Sequence, residues 1–260
     1  MIQPAAARNT VIKKVITDNL TRIKNEIAQA AVTAGREPER IRVLAVTKSM
    51  PLEAIRVLLE LGQIDLGESQ AQQLVQRAGM VQEQLSRRSI HDTSQGLAKP
   101  LWHMIGHLQR NKVKPLLPIV QYIHSMDTLR LAEEINSFGS KINKVQDVLV
   151  EVNCSGEEQK YGLPVAAVGH LIEQISTMPN MRICGLMTMA PQVSDAEKTR
   201  PVFERLYELF LEVKVDYRLG KEFEHLSMGM SQDYQVAVEC GATIVRIGSA
   251  LFEGIDKISE

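Results

Sequence analysis

Three short stretches carry residue types able to do chemistry. Lys48 directly follows the apolar run IRVLAVT (41–47). A lysine at the end of a buried strand sheds hydration, which disfavours its charged form. A neutral amine attacks an aldehyde and forms a Schiff base. The bland alternative is a lysine that snorkels to the rim and keeps its ammonium in water. The second stretch is SMGMS, Ser227 to Ser231, followed by Gln232 and Asp233. Gly229 lets the backbone approach a ligand closely. The helix start that follows offers free N–H groups and a positive dipole end to a phosphate. The third is RIGS, Arg246 to Ser249, where Gly248 and Ser249 add backbone and hydroxyl donors. Singly, each of these small-residue loops reads as an ordinary turn.

The elements that must position these residues alternate along the chain. Residues 10–35 read as an amphipathic helix, with Val11, Ile12, Val15, Ile16, Leu20, Ile23 and Ile27 at helical spacing. Strands are predicted at 41–47, 64–67, 102–106, 120–125, 147–153, 183–189, 223–229 and 243–248. Helices are predicted at 52–62, closing on Gly62, at 69–86, and from near Gln109. Further helices run from an Asp127 cap to about Phe138, over 164–178 with Pro164 near the start, and over 195–214 and 232–240. About eight strand–helix units in one domain over residues 1–260 predict an α/β fold, a single closed (β/α)8 TIM-type barrel. The polar stretch 86–100 reads as a surface loop.

In such a barrel the site lies at the C-terminal ends of the strands. That address collects Thr47, Lys48, Ser49, Glu68, Ser69, His103, His107, Asn153, Thr188, Ser227 to Ser231, Arg246, Gly248 and Ser249. Phosphate sites in these barrels often lie between the loops after strands seven and eight. Both small-residue loops fall there, which favours a phosphate group. His103 and His107 are four apart, but Gly106 breaks a shared helix face and no Glu follows His103 in the HExxH manner. A hydrogen-bonding role is expected for both, with no metal.

Composition narrows the class. Of 260 residues, 30 are Lys or Arg and 31 Asp or Glu, so nothing calls for nucleic acid or an anionic membrane surface. Aromatics make up only 4%, which leaves a core of Leu, Ile, Val, Met and Ala, as suits a barrel. Cys154, Cys184 and Cys240 form no CxxC pair and read as reduced, mostly buried thiols. The N-terminus lacks a secretory apolar run and no stretch is long enough to span a bilayer. A cytoplasmic protein is expected.

The chain resembles the YggS/PROSC family, the pyridoxal phosphate homeostasis proteins, along nearly its whole length. VLAVTKSMP (43–51), LGESQAQQL (66–74), IHSMD (123–127), VEVNCSGEEQKYG (150–162), GLMTMAP (185–191), LSMGMSQDY (226–234) and VRIGSALFEG (245–254) follow in the family's order. The most specific stretch is LWHMIGHLQRNKVK (101–114). The resemblance implies a fold like the N-terminal barrel of alanine racemase and pyridoxal 5′-phosphate (PLP) as cofactor. It implies Lys48 as the Schiff-base lysine and Arg246 facing the pyridine nitrogen. It implies Ser227, Gly229, Ser231, Gly248 and Ser249 around the phosphate. Many members carry Asn at Ser69 and a second Lys at Met50, so a ring contact at Ser69 is weaker or water-mediated and fewer lysines accept PLP in transfer. The family's later lysine is present as Lys160, a candidate secondary acceptor, although it also reads as a solvated loop residue.

An arginine at the ring nitrogen cannot readily protonate it, and an unprotonated ring is a weaker electron sink. About a dozen residues follow the last strand, which leaves no room for the β domain that supplies a racemase's catalytic tyrosine. The expectation is therefore a monomeric PLP carrier without robust turnover, with PLP-dependent apoenzymes or a regulatory protein as partners. The alternative is a PLP-dependent racemase or lyase, with Tyr161 and His103 as the bases to test. A Schiff-base aldolase without cofactor would not need both phosphate-like loops and Arg246.

Overall fold

The computed structural model describes residues 5–48, 50–91, 98–157 and 159–255. Among them, eight parallel strands close into a barrel. They are β1 Arg42–Val46, β2 Asp65–Glu68, β3 Leu101–Met104, β4 Val120–Met126, β5 Gln146–Asn153, β6 Met181–Met187, β7 His225–Ser227 and β8 Ile244–Ile247. Each pairs with the next in chain order. β8 returns to β1, with Arg42 opposite Ile244 and Leu44 opposite Arg246. A two-residue bridge, Leu163–Pro164, adds to the end of β5 outside the ring. The strands are apolar runs rather than alternating ones because the parallel ring is covered on both faces. β5 is buried at every position but its last.

The outer layer is α1 Ala5–Thr33, α2 Leu52–Glu60, α3 Ala71–His91, α4 Val113–Leu116, α5 Leu129–Lys141, α6 Val168–Ser176, α7 Arg200–Asp216 and α8 Tyr234–Glu239. The helix predicted over 10–35 is α1. Ile12, Ile16, Leu20, Ile23 and Ile27 form its buried stripe, whereas Val11 is exposed. α1 packs against α8 and α2. It thereby fills the place on the ring that a helix after β8 would take. Gly62 ends α2 at φ +77°, the left-handed conformation expected of a helix stop.

Three local expectations are corrected. The loop predicted over 86–100 begins later, because α3 continues to His91. Residues 92–97 lie outside the described residues. Asp127 does not cap α5. The N-cap is Thr128, whose hydroxyl accepts from the Leu131 N–H at 3.3 Å, while Asp127 pairs with His107. The helix placed at 164–178 starts at Val168, after the bridge at Pro164 and a 3-10 turn over Val165–Ala167. No described helix is long and apolar enough to cross a membrane.

Candidate cofactor site

A cavity of about 690 Å³ opens at the C-terminal ends of the strands. Lys48, Ser69, His107, Glu151, Tyr161, Ser231, Arg246, Gly248 and Ser249 all line it. Residues more than 200 positions apart therefore meet at one mouth. A second cavity of about 750 Å³ lies between α7, α8 and the α1–β1 turn. Its cations are already engaged, Arg200 with Glu197 and Glu239 and Arg36 with the carbonyls of Val238 and Ala242. Among the described residues, no three His, Cys, Asp or Glu side chains cluster to hold a metal ion.

Lys48 sits on the turn after β1, and that turn is clamped from outside the barrel. Thr47 Oγ1 donates to Glu68 Oε1 at 2.6 Å. Arg77, from α3, donates to the carbonyls of Thr47 at 3.0 Å and Met50 at 2.7 Å, and its Nε lies 3.4 Å from Glu68. Burial pushes the Glu68 carboxyl above its usual value, and Thr47, Arg77 and Lys48 oppose that rise. Glu68 thus serves the lysine's turn and does not reach the cavity. The dehydration expected of Lys48 is not met. Its side chain is exposed at the cavity mouth, because the turn lifts it clear of the strand. Ser49 lies outside the described residues.

Arg246 is the charged group of the cavity floor, only 4% exposed. Its guanidinium donates to the Ser227 carbonyl and hydroxyl and to the Thr188 carbonyl, each at 2.8 Å. Burial lowers it to about 10, opposed by the carboxylates of Glu151 and Asp233, so it stays protonated at neutral pH. Ser227 is fully buried beneath Arg246 and does not line the cavity, unlike Ser231 and Ser249. Gly229 is also set back. At φ +88°, a Cβ there would lie 2.5 Å from Ala237 Cβ, so the glycine is required by the approach of α8.

The loops after β7 and β8 meet at Ser231, whose hydroxyl accepts from the N–H groups of Gly248 and Ala250, both at 3.2 Å. Two backbone donors therefore converge beside Ser249 on one point. Asp233 closes the first loop by accepting from the Met230 N–H at 2.6 Å. A Cβ on Gly248 would meet nothing closer than Val46 at 3.4 Å, an ordinary contact. At Gly106 the protein does demand glycine, since a Cβ would lie 2.2 Å from the Ser69 carbonyl and force apart the loops after β2 and β3.

The opposite wall is acidic. Glu151 is 2% exposed and its Oε2 has no hydrogen-bond partner. Burial, then the nearby Asp127, push its carboxyl up to about 7, against the pull of Arg246. His107 lies 3.5 Å from Asp127 and stacks on Tyr161 with ring centres 4.7 Å apart. Sequence reasoning missed Glu151, Asp127 and Arg77. A carboxylate in the middle of the apolar stretch VLVEV (148–152) of β5 was the available signal for Glu151. Several predicted candidates turn out to be supports. Asn153 orders the turn at 153–157, and Thr188 Oγ1 donates to the Val152 carbonyl. His103 is buried within the barrel and does not reach the cavity, which removes it as a substrate base. Lys160 pairs with Glu157 at 2.7 Å.

A barrel with a lysine after its first strand and donor-rich loops after its last two is the architecture of a cofactor-binding (β/α)8 domain. A family model described as alanine racemase, N-terminal domain matches residues 19–255. The pyridoxal phosphate homeostasis protein of Aquifex aeolicus is 40% identical over 235 residues, which cover 90% of this chain and 96% of that protein. The protein of the same name from Escherichia coli is 32% identical over 93% of this chain and 97% of its own length. The chain belongs to the alanine racemase N-terminal domain family and, within it, to the pyridoxal phosphate homeostasis proteins. The structure of PipY from Synechococcus elongatus with PLP bound has a TM-score of 0.71 and 29% identity, covering 87% of this chain and 99% of that one. Alanine racemase of Clostridium difficile, at TM-score 0.66 and 14% identity over 56% of its length, shares the fold.

Proposed function

We propose that this chain binds PLP through Lys48 and holds it in reserve, as a cytoplasmic, monomeric cofactor-homeostasis protein without robust turnover. When bound, the cofactor supplies an aldehyde and an electron-withdrawing ring. Lys48 Nζ would hold it covalently at the aldehyde carbon, with loss of water. The loops carrying Ser231, Gly248 and Ser249 would hold its phosphate. Arg246 faces the ring nitrogen, and Ser227 and Thr188 keep its guanidinium in place. Ser69 flanks the ring. The observation that carries this reading is the convergence of Lys48, the buried Arg246 and both donor loops on one cavity. PipY, with PLP bound, supports it.

Carriage rather than catalysis fits the names of the relatives and the arginine opposite the ring nitrogen. A guanidinium that donates hydrogen bonds without giving up its proton leaves the ring a weak electron sink. Apoenzymes that need PLP, or a regulatory protein, are the partners such a carrier would serve. Tyr161 keeps the racemase or lyase reading testable, since it lines the cavity.

The test is spectroscopic. Protein incubated with PLP should show a visible absorbance band that borohydride reduces onto Lys48, as read by peptide mass mapping. Lys48→Ala should abolish that band. A band of undiminished strength in the variant would move the attachment elsewhere. Sustained conversion of an L- to a D-amino acid, dependent on Lys48, would overturn the carrier role.

A further inference from the structure

Arg246 is held on its inner side by a chain of hydrogen bonds that leads away from the cavity. Its Nη1 donates to Ser227 Oγ at 2.8 Å. Ser227 Oγ lies 2.9 Å from His124 Nδ1, and His124 Nε2 lies 2.9 Å from His103 Nδ1. His103 Nε2 lies 3.1 Å from Asp65 Oδ1. His124 on β4 and Ser227 on β7 are not neighbours in the sheet, so their bond crosses the barrel interior. Both histidines are fully buried. Asp65 opens β2 at the end of the barrel opposite Lys48, and its side chain is 18% exposed.

With both rings neutral, the protons along this chain have one consistent order. The Asp65 carboxylate only accepts, so His103 carries its proton on Nε2 and accepts at Nδ1. His124 then donates from Nε2 and accepts at Nδ1. Ser227 turns its hydrogen to that nitrogen and accepts from Arg246, whose guanidinium only donates. A second proton on His103 would drive His124 to the other tautomer and leave Ser227 accepting from both sides.

The surroundings agree with two neutral rings. His124 faces Arg246 and His225 as well as His103. His103 faces Arg42 and Asp65 and stacks on Tyr122 with centres 5.0 Å apart. His225, edge-on to Tyr122, faces Arg42, Glu224 and Asp147.

We propose that Asp65, His103, His124 and Ser227 form an oriented positioning chain that fixes the Arg246 guanidinium and couples it to the far mouth of the barrel. The cofactor readouts below rest on the proposed role of Arg246; the ring tautomers do not. In protein labelled with 15N-histidine and free of cofactor, long-range proton–nitrogen spectra should place the proton of both rings on Nε2. Neither ring should titrate where an exposed histidine does. A proton on Nδ1 of either ring, or an ordinary titration, overturns the proposal.

In PLP-loaded protein, Asp65→Ala should shift the cofactor's visible band and speed its loss about tenfold. Asp65→Asn, whose amide oxygen still accepts from His103, should keep both near the unaltered protein. An Asp65→Ala protein identical to the parent, or equal damage in both variants, also overturns it. Failure of the unaltered protein to take up PLP would sink the proposed function and leave the tautomers as the deciding measurement. Should Asp65→Ala fail to fold, the spectra of the unaltered chain decide in the same way.

Discussion

Glu151 shows how much one buried side chain imposes on its surroundings. Its carboxyl is raised from 4.5 to about 7, chiefly by burial. In the unfolded chain it ionises near 4.5, so between that pH and about 7 the native state holds the extra proton. Stability from this group is full below 4.5 and is lost as the pH rises through 7. Glu151→Gln should therefore gain on the parent as the pH rises across that window, by up to about 3 kcal/mol at neutral pH. Urea midpoints of the two proteins at several pH values check it, and parallel curves would mean that Glu151 is charged throughout. Gly248 makes a different case. The protein leaves ordinary room for a Cβ there. Gly248→Ala should fold with unchanged thermal stability, within about 0.5 kcal/mol, yet retain PLP less well, because the added methyl meets the proposed phosphate. Equal retention by equilibrium dialysis would remove the phosphate from this loop.

Elements matter here for what they carry at their ends. α1 stands far from the cavity in sequence, but Asn19 donates to the carbonyls of Leu251 and Glu253, and Arg22 to that of Ala250. It thus steadies the loop whose N–H groups meet at Ser231. Tyr234, at the start of α8, donates to Glu26 of α1. α5 illustrates why helix ends are hard to place from sequence. Asp127 and Thr128 are both good capping residues. The choice falls to Thr128 because His107, from the loop after β3, engages Asp127. Thr128→Ala should cost about 1 kcal/mol in thermal or denaturant unfolding, whereas Asp127→Ala should leave α5 capped and loosen His107 instead. The reverse ranking would restore Asp127 as the cap.

At the scale of the whole molecule, the ring is complete only with α1. Its five buried Ile and Leu side chains, at about 2 kcal/mol each, contribute on the order of 10 kcal/mol. That is comparable to the entire stability of a typical domain. A chain lacking residues 1–33 should therefore lose its cooperative thermal transition, as followed by circular dichroism. A truncated chain that melts cooperatively near the parent's temperature would show that α2 and α8 close over the gap unaided.

The sequence by itself determined the alternation of strands and helices, because apolar runs and helical spacing are local signals. It also located the lysine after β1 and the small-residue loops after β7 and β8, because each directly follows an apolar strand run. Most strand boundaries fell within two residues. What the sequence could not contain was direction. Ser227 and Ser231 are four apart, one ending β7 and one on the loop after it, and look alike in a string. Only closure of the ring sends Ser227 inward under Arg246 and leaves Ser231 at the cavity. His103 and His107 likewise part company, one to the interior and one to the mouth, because β3 ends between them. Glu68 turns outward to Arg77, while Glu151 is carried to the cavity wall. The physical reason is common to all of them. Which side of a strand a residue faces, and which distant charge it meets there, is set by the register of strands far apart in the chain, and that register exists only once the barrel has closed.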